Sequence, residues 1–361
     1  MTENVPPLRI AQVAPLYESV PPHLYGGTER VVSYLTEELV RAGHEVTLFA
    51  SGDSHTGAEL VSVWNRALRL DERAPEPISL HLTMLEEVVR RAPGYDVVHF
   101  HTDGLQLPLA RRMGVSSLTS SVATLTTLHG RLDLAGLAPL YREYREHPLV
   151  SISHAQRRPL TFAHWIATVH HGLPLELHAA SPSPGHYLAF IGRIAPEKRV
   201  DRAIAVARRT GIPLRIAAKI DRNDREYFAN VIEPHIDGRL IEYVGEITEH
   251  EKTAFLGDAI ALLFLIDWPE PFGLAMIESM ACGTPVIACP CGSVREVVDE
   301  GITGFIVEDL RQAVHSVGRA LRVDRRRCRA HFERRFTAQR MAQEYCRAYQ
   351  SLKEHRWLRK A

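Results

Sequence analysis

The sequence predicts an α/β protein with two domains, each built from parallel strands that are connected by helices. The first observation is length, since 361 residues can form two sizeable cores. The second is an alternation of short apolar runs with segments of helical periodicity, which is the pattern of successive βαβ units. The third is a segment rich in Pro and Ser at residues 175–185, which is typical of an interdomain linker.

The charge balance and the cysteines exclude several classes of function. Lys and Arg together number 43, as do Asp and Glu, so the composition does not indicate a polyanionic partner such as nucleic acid. The cysteines all fall in the second half of the chain, and only Cys289 and Cys291 lie close together. Without a second close pair or a nearby histidine cluster, we predict reduced thiols and no zinc site.

The N-terminal residues give no targeting signal. They contain no basic region followed by an apolar core, and no run in the chain approaches the roughly 20 apolar residues that span a bilayer. We therefore predict a cytoplasmic protein, and peripheral contact with a membrane remains an open alternative.

The first domain opens with a βαβ unit. Residues 8–14 form a short apolar strand, residues 29–42 have helical spacing, and residues 46–50 form the next strand. Gly26 and Gly27 precede the helix, where the backbone could approach an anion, although a glycine pair in a loop is usually only a turn.

Histidines follow two later strands of the first domain. The strand at residues 124–128 runs directly into His129, and the carboxyl end of a parallel strand is where ligand contacts concentrate. From position alone, a local structural role for His129 is the alternative. The strand ending at His101 carries two histidines, and we interpret His99 as a core residue and His101 as a residue that could line a ligand crevice.

The second domain begins with a strand at residues 186–191 and a loop that contains two cations. Arg193 and Lys198 lie in this loop before a helix at residues 200–209. There they could clamp a diphosphate, the Arg by its planar fork and the Lys as a point charge. The alternative is that both are solvated surface cations.

A third βαβ unit contains two carboxylates around a helix start. An apolar strand at residues 259–266 is followed by a loop with Glu270, a helix with Glu278 and a strand at residues 286–288. Carboxylates accept hydrogen bonds from hydroxyl groups, and backbone N–H groups at a helix start bind anions. The N–H donors would be those of Phe272, Gly273 and Leu274. Such a site suits a molecule with sugar hydroxyls and phosphate, whereas two unrelated surface glutamates are the alternative.

Elsewhere in the second half, the sequence predicts less distinctive elements. Residues 221–237 and 310–321 are expected to be helical, and residues 336–352 form the last predicted helix. The run at residues 325–327, three arginines, is expected to be a solvated face.

The segment E-P-F-G-L-A-M-I-E, residues 270–278, resembles the E-x7-E signature of the family 4 glycosyltransferases. This resemblance implies a GT-B fold, in which two Rossmann-like domains face each other across a crevice. It places an acceptor-side domain at residues 1–173 and a donor-binding domain at residues 174–340. A C-terminal helix at about residues 341–361 is expected to pack back on the first domain.

The resemblance also implies roles for individual residues. Gly27 matches the glycine beside the donor diphosphate, and His129 matches a histidine that contacts the donor sugar or its phosphate. Arg193 and Lys198 match the phosphate-binding residues of a G-R-x-x-P-E-K loop. In the E-x7-E segment the expected contacts are sugar hydroxyls for Glu270, ribose hydroxyls for Glu278, and backbone N–H donors at Phe272, Gly273 and Leu274. The sequence departs from the family pattern at Arg199, where glycine is common.

The implied function is transfer of a hexose from a nucleotide-diphosphate sugar, with UDP-glucose favoured over GDP-mannose, to an unidentified small-molecule, lipid or glycan acceptor. The resemblance implies retention of anomeric configuration. The absence of a D-x-D motif predicts that transfer needs no metal or other cofactor. The alternatives are a nucleotide-sugar epimerase or hydrolase of the same fold and a non-catalytic nucleotide-binding protein. An NAD-dependent oxidoreductase is disfavoured because no G-x-G-x-x-G follows either opening strand.

Overall fold

The computed structural model describes residues 6–73, 76–115, 122–183 and 185–358, and the chain divides into two compact units. Unit 1 comprises Met1–Gly172 and Ala338–Ala361, and unit 2 comprises Leu173–Thr337. Each unit contains one parallel sheet with helices, so the prediction of two Rossmann-like domains is confirmed.

The sheet of unit 1 has seven strands in the order β3-β2-β1-β4-β5-β6-β7. These strands are β1 Arg9–Val13, β2 Glu45–Phe49, β3 Glu59–Val61, β4 Val97–Phe100, β5 Ala123–Thr127, β6 Leu149–Ser151 and β7 Trp165–Thr168. Strand order reverses between β1 and β4, and open α/β sheets bind ligands beyond the carboxyl ends of the strands at such a switch point.

The sheet of unit 2 has six strands in the order β10-β9-β8-β11-β12-β13. They are β8 Tyr187–Arg193, β9 Leu214–Lys219, β10 Ile241–Gly245, β11 Ala259–Phe264, β12 Val286–Ala288 and β13 Gly304–Ile306. Here the order reverses between β8 and β11, whose registers pair Leu262 with Ala189. β11 is apolar and buried throughout, and the first four residues of β8 are buried apolar residues, as expected for strands in a sheet covered on both faces.

Helices connect the strands in both units. Unit 1 contains α1 Gly27–Arg41, α2 Pro77–Arg91, α3 Leu107–Val115 and α4 Leu137–Glu143. Unit 2 contains α5 Val200–Thr210, α6 Arg225–Tyr227, α7 Glu249–Gly257, α8 Leu274–Ala281, α9 Val294–Val297, α10 Leu310–Ala320 and α11 Arg325–Arg335. The last helix, α12 Ala338–Leu358, returns to unit 1 and contacts α1 and β5 there.

The expected helical stretch at residues 221–237 is helical over residues 222–235, where 3-10, α and π turns follow one another. Pro234 lacks the N–H of a regular α-helix, and the stretch ends at His235. The run at residues 325–327 opens α11, with Asp324 as the N-cap. Arg326 and Arg327 are exposed, as expected for a solvated face, but Arg325 is buried.

Arg325, the first arginine of that run, is buried and not solvated. It is only 5% exposed, and its guanidinium donates to the carbonyl oxygens of Ser183, Gly257 and Ala259. A guanidinium carries five N–H donors, so it can satisfy several buried carbonyls at once. Arg325 is therefore a core residue of unit 2.

Among the described residues, no helix combines the length and the apolarity needed to span a bilayer.

Candidate functional site

The switch point of unit 2 gathers most of the predicted site residues. Arg193 is the last residue of β8, and Lys198 follows in a short 3-10 turn, Pro196–Lys198. Glu270 lies in the loop after β11, the neighbouring strand. Because carboxyl ends of adjacent parallel strands share one edge of the sheet, the two loops meet.

Lys198 and Glu270 form the closest contact between these loops. The Lys198 ammonium nitrogen lies 2.6 Å from Glu270 Oε2, and the two side chains are 16% and 12% exposed. The Trp268 indole N–H donates to the same carboxylate oxygen at 2.9 Å. Lys198 also lies 4.3 Å from the centroid of the Trp268 ring, in the range of a cation–π contact. Glu270 is thus held by two donors at one oxygen.

The backbone of the Glu270 loop is held by the segment after β12. Ser293 donates its N–H to Glu270 O at 3.0 Å and its hydroxyl to Phe272 O at 2.7 Å. Gly292 has φ +60°, and a Cβ there would lie 2.2 Å from Glu270 O. Only glycine permits this approach of the two backbones.

Gly273 makes the turn from that loop into α8. Its φ is +83°, and a Cβ would lie 2.7 Å from Met276 Cε. The turn places Phe272, Gly273 and Leu274 at the start of α8, where first-turn N–H groups have no partner within the helix. A helix start of this kind is suited to an anion, and anion binding by these three residues stays a prediction.

Arg193 is surrounded by carboxylates. Its guanidinium lies 2.6 Å from Glu197, 3.4 Å from Asp221 and 3.7 Å from Asp224. Lys219 pairs with Asp221 as well, at 3.1 Å. The cations of this loop region are consequently compensated by acidic neighbours, which the sequence pattern alone did not indicate.

Glu278 is buried on α8 and pairs with a lysine of α7. Its Oε1 lies 2.7 Å from Lys252 Nζ, and the Glu278 side chain is 5% exposed. Lys252 also contacts Glu249 at 3.1 Å. Glu278 is therefore not a solvated helix residue, and Lys252 is a site neighbour that the sequence analysis missed. No local periodicity signals it, because the two residues lie on different helices.

Arg199 occupies the position where the family commonly has glycine. Its φ of 54° and ψ of 48° are left-handed, a conformation that strains most side chains. The guanidinium pairs with Asp201 and Asp267, both at 2.8 Å, and these pairs hold the pKa of Arg199 above its usual range. The departure thus leaves the backbone turn in place and adds an ion-pair network beside Lys198.

Gly27 and His129 belong to unit 1. Gly27 is the first residue of α1, so the helix begins two residues before the predicted start at residue 29. Its position beside the donor diphosphate stays a prediction. Two residues later, burial and then the nearby Glu18 carboxylate raise the pKa of Glu29 to about 7. A carboxyl that holds its proton near neutral pH repels an anion at this helix start less than a carboxylate would.

His129 belongs to a buried chain of hydrogen bonds. Its Nε2 lies 2.8 Å from His101 Nδ1, and His101 Nε2 lies 2.8 Å from Gln12 Oε1. Gln12 Nε2 donates to the Tyr349 hydroxyl of α12 at 3.1 Å. Tyr349 in turn lies 2.8 Å from His99 Nδ1. Burial lowers the pKa of His129 to about 3 and holds that of His101 well below its usual range, so both rings are neutral.

Gln12 and Tyr349 were not predicted from the sequence as site residues. The sequence offers two signals: a polar residue inside an apolar strand, and tyrosines four residues apart in the last helix. Neither signal indicates which residue would be its hydrogen-bond partner. Among the described residues, no group of three or more His, Cys, Asp or Glu side chains could hold a metal ion.

Comparison with known proteins identifies both halves of the chain. Residues 25–163 match the family model described as Glycosyltransferase Family 4. Residues 178–327 match the model described as Glycosyl transferases group 1. The two matches fall within units 1 and 2 respectively and together take in most of the chain.

Individual relatives agree with the family models. D-inositol 3-phosphate glycosyltransferase of Mycolicibacterium smegmatis is 25% identical in an alignment of length 338, and the match covers 78% of this chain and 75% of the relative. Sucrose-phosphate synthase from Thermosynechococcus elongatus has a similar structure, with TM-score 0.77, 19% identity and coverage of 96% of this chain and 100% of its own. Anabaena HepE in complex with UDP-glucose has TM-score 0.71, 15% identity and coverage of 95% and 100%. The chain belongs to the family 4 glycosyltransferases and is a glycosyltransferase of the GT-B fold.

Proposed function

We propose that this glycosyltransferase moves a hexose from a nucleotide-diphosphate sugar to an acceptor hydroxyl, with retention of anomeric configuration and without a metal ion. UDP-glucose is the favoured donor and GDP-mannose the next. The observation that carries the proposal is the meeting of Lys198, Glu270 and the α8 start at one switch point.

Lys198 and Glu270 supply complementary groups for the two halves of a donor. When a diphosphate oxygen pairs with the Lys198 ammonium in place of Glu270, the Glu270 carboxylate can accept hydrogen bonds from sugar hydroxyls. Trp268 still donates to Glu270 Oε2 and keeps the carboxylate oriented. Exchange of one ion pair for another limits the cost of separating Lys198 from Glu270.

Charge on the departing diphosphate requires stabilisation by fixed positive groups. Lys198, Arg193 and the N–H groups at the start of α8 are the candidates in unit 2, and no D-x-D motif accompanies them. Arg193 contributes once a phosphate displaces one of its carboxylate partners, of which Glu197 is the closest at 2.6 Å. This donor set supports metal-independent transfer.

Glu278 suits the ribose of the nucleotide. Lys252 occupies its Oε1, and among the described residues none forms a hydrogen bond or ion pair with Oε2, so a ribose hydroxyl can donate there. Retention rests on family resemblance. On that view the departing phosphate accepts the acceptor proton on the same face, and no protein nucleophile is required.

The donor preference rests on overall resemblance and on the similar fold of HepE, which was solved with UDP-glucose. Calorimetric titration with UDP, GDP, ADP and their sugars, in the presence and absence of EDTA, tests the donor and the metal requirement together. We expect binding of UDP and UDP-glucose that EDTA does not change. Binding that EDTA abolishes contradicts metal independence, and binding of GDP-mannose alone contradicts the favoured donor.

The stereochemical outcome needs a separate measurement. With an acceptor found by screening, proton NMR of the first product formed reports its anomeric configuration before mutarotation or hydrolysis. Retention gives an α-linked product from an α-linked donor. A β-linked first product contradicts the proposed mechanism.

A further inference from the structure

The hydrogen-bond chain from Tyr349 to His129 has a direction that is set by the orientation of the Gln12 amide. Gln12 Nε2 can only donate, so it donates to the Tyr349 hydroxyl oxygen. Gln12 Oε1 can only accept, so the His101 nitrogen that contacts it, Nε2, carries the hydrogen.

That direction passes through His101 to His129. A neutral imidazole has one N–H, so His101 Nδ1 is an acceptor. Its partner, His129 Nε2, must then donate the hydrogen. His129 Nδ1 is left with a lone pair, and it is a buried atom without a hydrogen-bond partner among the described residues.

Tyr349 closes the other end of the chain. Its oxygen accepts from Gln12, so its own O–H points to His99 Nδ1, and His99 Nε2 then donates to the Thr127 hydroxyl 2.7 Å away. Gln12 is fully buried in β1, and the Tyr349 ring is fully buried on α12. Rotation of the Gln12 amide by half a turn would reverse donor and acceptor at every one of these contacts. The chain is thus one cooperative unit with a single polarity.

We propose that Gln12, His101 and Tyr349 are positioning residues that hold His129 as its neutral Nε2–H tautomer and leave the Nδ1 lone pair for a hydroxyl of the transferred sugar. A bare lone pair accepts a hydrogen bond from a hydroxyl and cannot donate to a phosphate oxygen. Of the two ligands that the resemblance allows for His129, sugar or phosphate, this tautomer selects the sugar. The identity of the hydroxyl rests on the proposed function, whereas the tautomer does not.

The tautomer is measurable without any ligand. In protein labelled with 15N-histidine, long-range proton–nitrogen correlation spectra distinguish a protonated ring nitrogen from one with a lone pair. The His129 signals are assigned by their loss in His129→Gln. We expect His129 to be protonated only at Nε2, and protonation at Nδ1 overturns the proposal.

Two tyrosines of α12 provide a matched pair of variants. Tyr349→Phe removes the hydroxyl that orients Gln12, so we expect His129 to become a mixture of tautomers. Tyr345→Phe removes an equally buried hydroxyl that contacts Thr127 at 2.9 Å, beyond His99 at the far end of the network and without contact to Gln12, and we expect the single tautomer to persist. If Tyr349→Phe does not fold, Gln12→Met breaks the same path. Unchanged His129 spectra in a folded Tyr349→Phe or Gln12→Met protein overturn the assigned role.

Calorimetry then tests the ligand. A lost or misdirected neutral hydrogen bond should weaken binding of UDP-glucose by up to about tenfold in Tyr349→Phe. Binding of UDP, which lacks the sugar, should not change, and Tyr345→Phe should bind both as the unaltered protein does. Equal weakening for UDP and UDP-glucose contradicts a sugar contact. If neither UDP-glucose nor GDP-mannose binds the unaltered protein, the proposed function fails, and the NMR spectra still decide the tautomer.

Discussion

Lys198 and Glu270 come from loops 72 residues apart in the chain and form an ion pair of 2.6 Å at the switch point of unit 2. One partner is suited to phosphate and the other to sugar hydroxyls, and each neutralises the other. The pair therefore links recognition of the two parts of a donor.

Loss of the Lys198 ammonium should affect transfer far more than folding. In Lys198→Ala we expect kcat to fall by about a hundredfold or more, because one preorganised donor to the departing charge is removed. The value of kcat is measured with a stopped-time or coupled assay of sugar transfer. Lys353→Ala is the control, since it breaks the Lys353–Asp96 pair of 3.0 Å in unit 1 and should leave kcat unchanged. Similar losses in both variants would contradict the assigned role of Lys198.

Glu278 and Glu249 both pair with Lys252, but their substitution should affect donor binding differently. Glu278→Gln removes a charged hydrogen-bond acceptor proposed for ribose, and we expect donor affinity to fall by about ten- to a hundredfold. Glu249→Gln removes the other carboxylate, 3.1 Å from the same ammonium, and should leave affinity unchanged. Calorimetric titration with UDP compares the two. Unchanged affinity in a folded Glu278→Gln protein removes Glu278 from the site.

The left-handed conformation of Arg199 should appear as a difference between two small substitutions. Arg199→Gly and Arg199→Ala both lose the pairs with Asp201 and Asp267. Only glycine adopts the φ of 54° without strain, so the glycine variant should be more stable by about 1 kcal/mol in free energy of unfolding. Urea denaturation measures this difference. Equal stability would show that the turn relaxes when the guanidinium is removed.

Buried histidines should make the protein less stable in mild acid. Burial lowers the pKa of His147 to about 4, whereas a histidine in the unfolded chain titrates near 6.5. Between these values the unfolded chain binds a proton that the folded protein does not, so the free energy of unfolding falls as pH falls. From pH 7.5 to pH 5 this one group should account for a loss of about 2 kcal/mol.

The histidine contribution is isolated by substitution. Urea denaturation of His147→Gln at both pH values should show a smaller acid-induced loss than the unaltered protein, by about that amount. Any cost of removing the 2.8 Å contact with Thr126 is present at both pH values and cancels in the comparison. Parallel losses in the two proteins would contradict the assigned pKa of His147.

Local patterns in the sequence predicted the fold class and the family. Apolar runs define buried strands, glycines such as Gly273 define the turns that follow them, and parallel topology brings the strand ends together. Those rules depend on neighbours within a few residues, so they can be applied without coordinates. They led to Arg193, Lys198, Glu270 and Glu278 as candidate site residues.

The sequence by itself determined the alternation of strands and helices, the two-domain α/β class and the segments that resemble the family 4 signatures. The tertiary structure alone decided that Arg325 is buried, that Lys252 pairs with Glu278, and that Tyr349 connects to His129 through Gln12. Burial and hydrogen-bond partnership arise when distant segments pack together. Helical or strand periodicity specifies which face of an element is apolar, and it does not specify which residue of another element will lie against it.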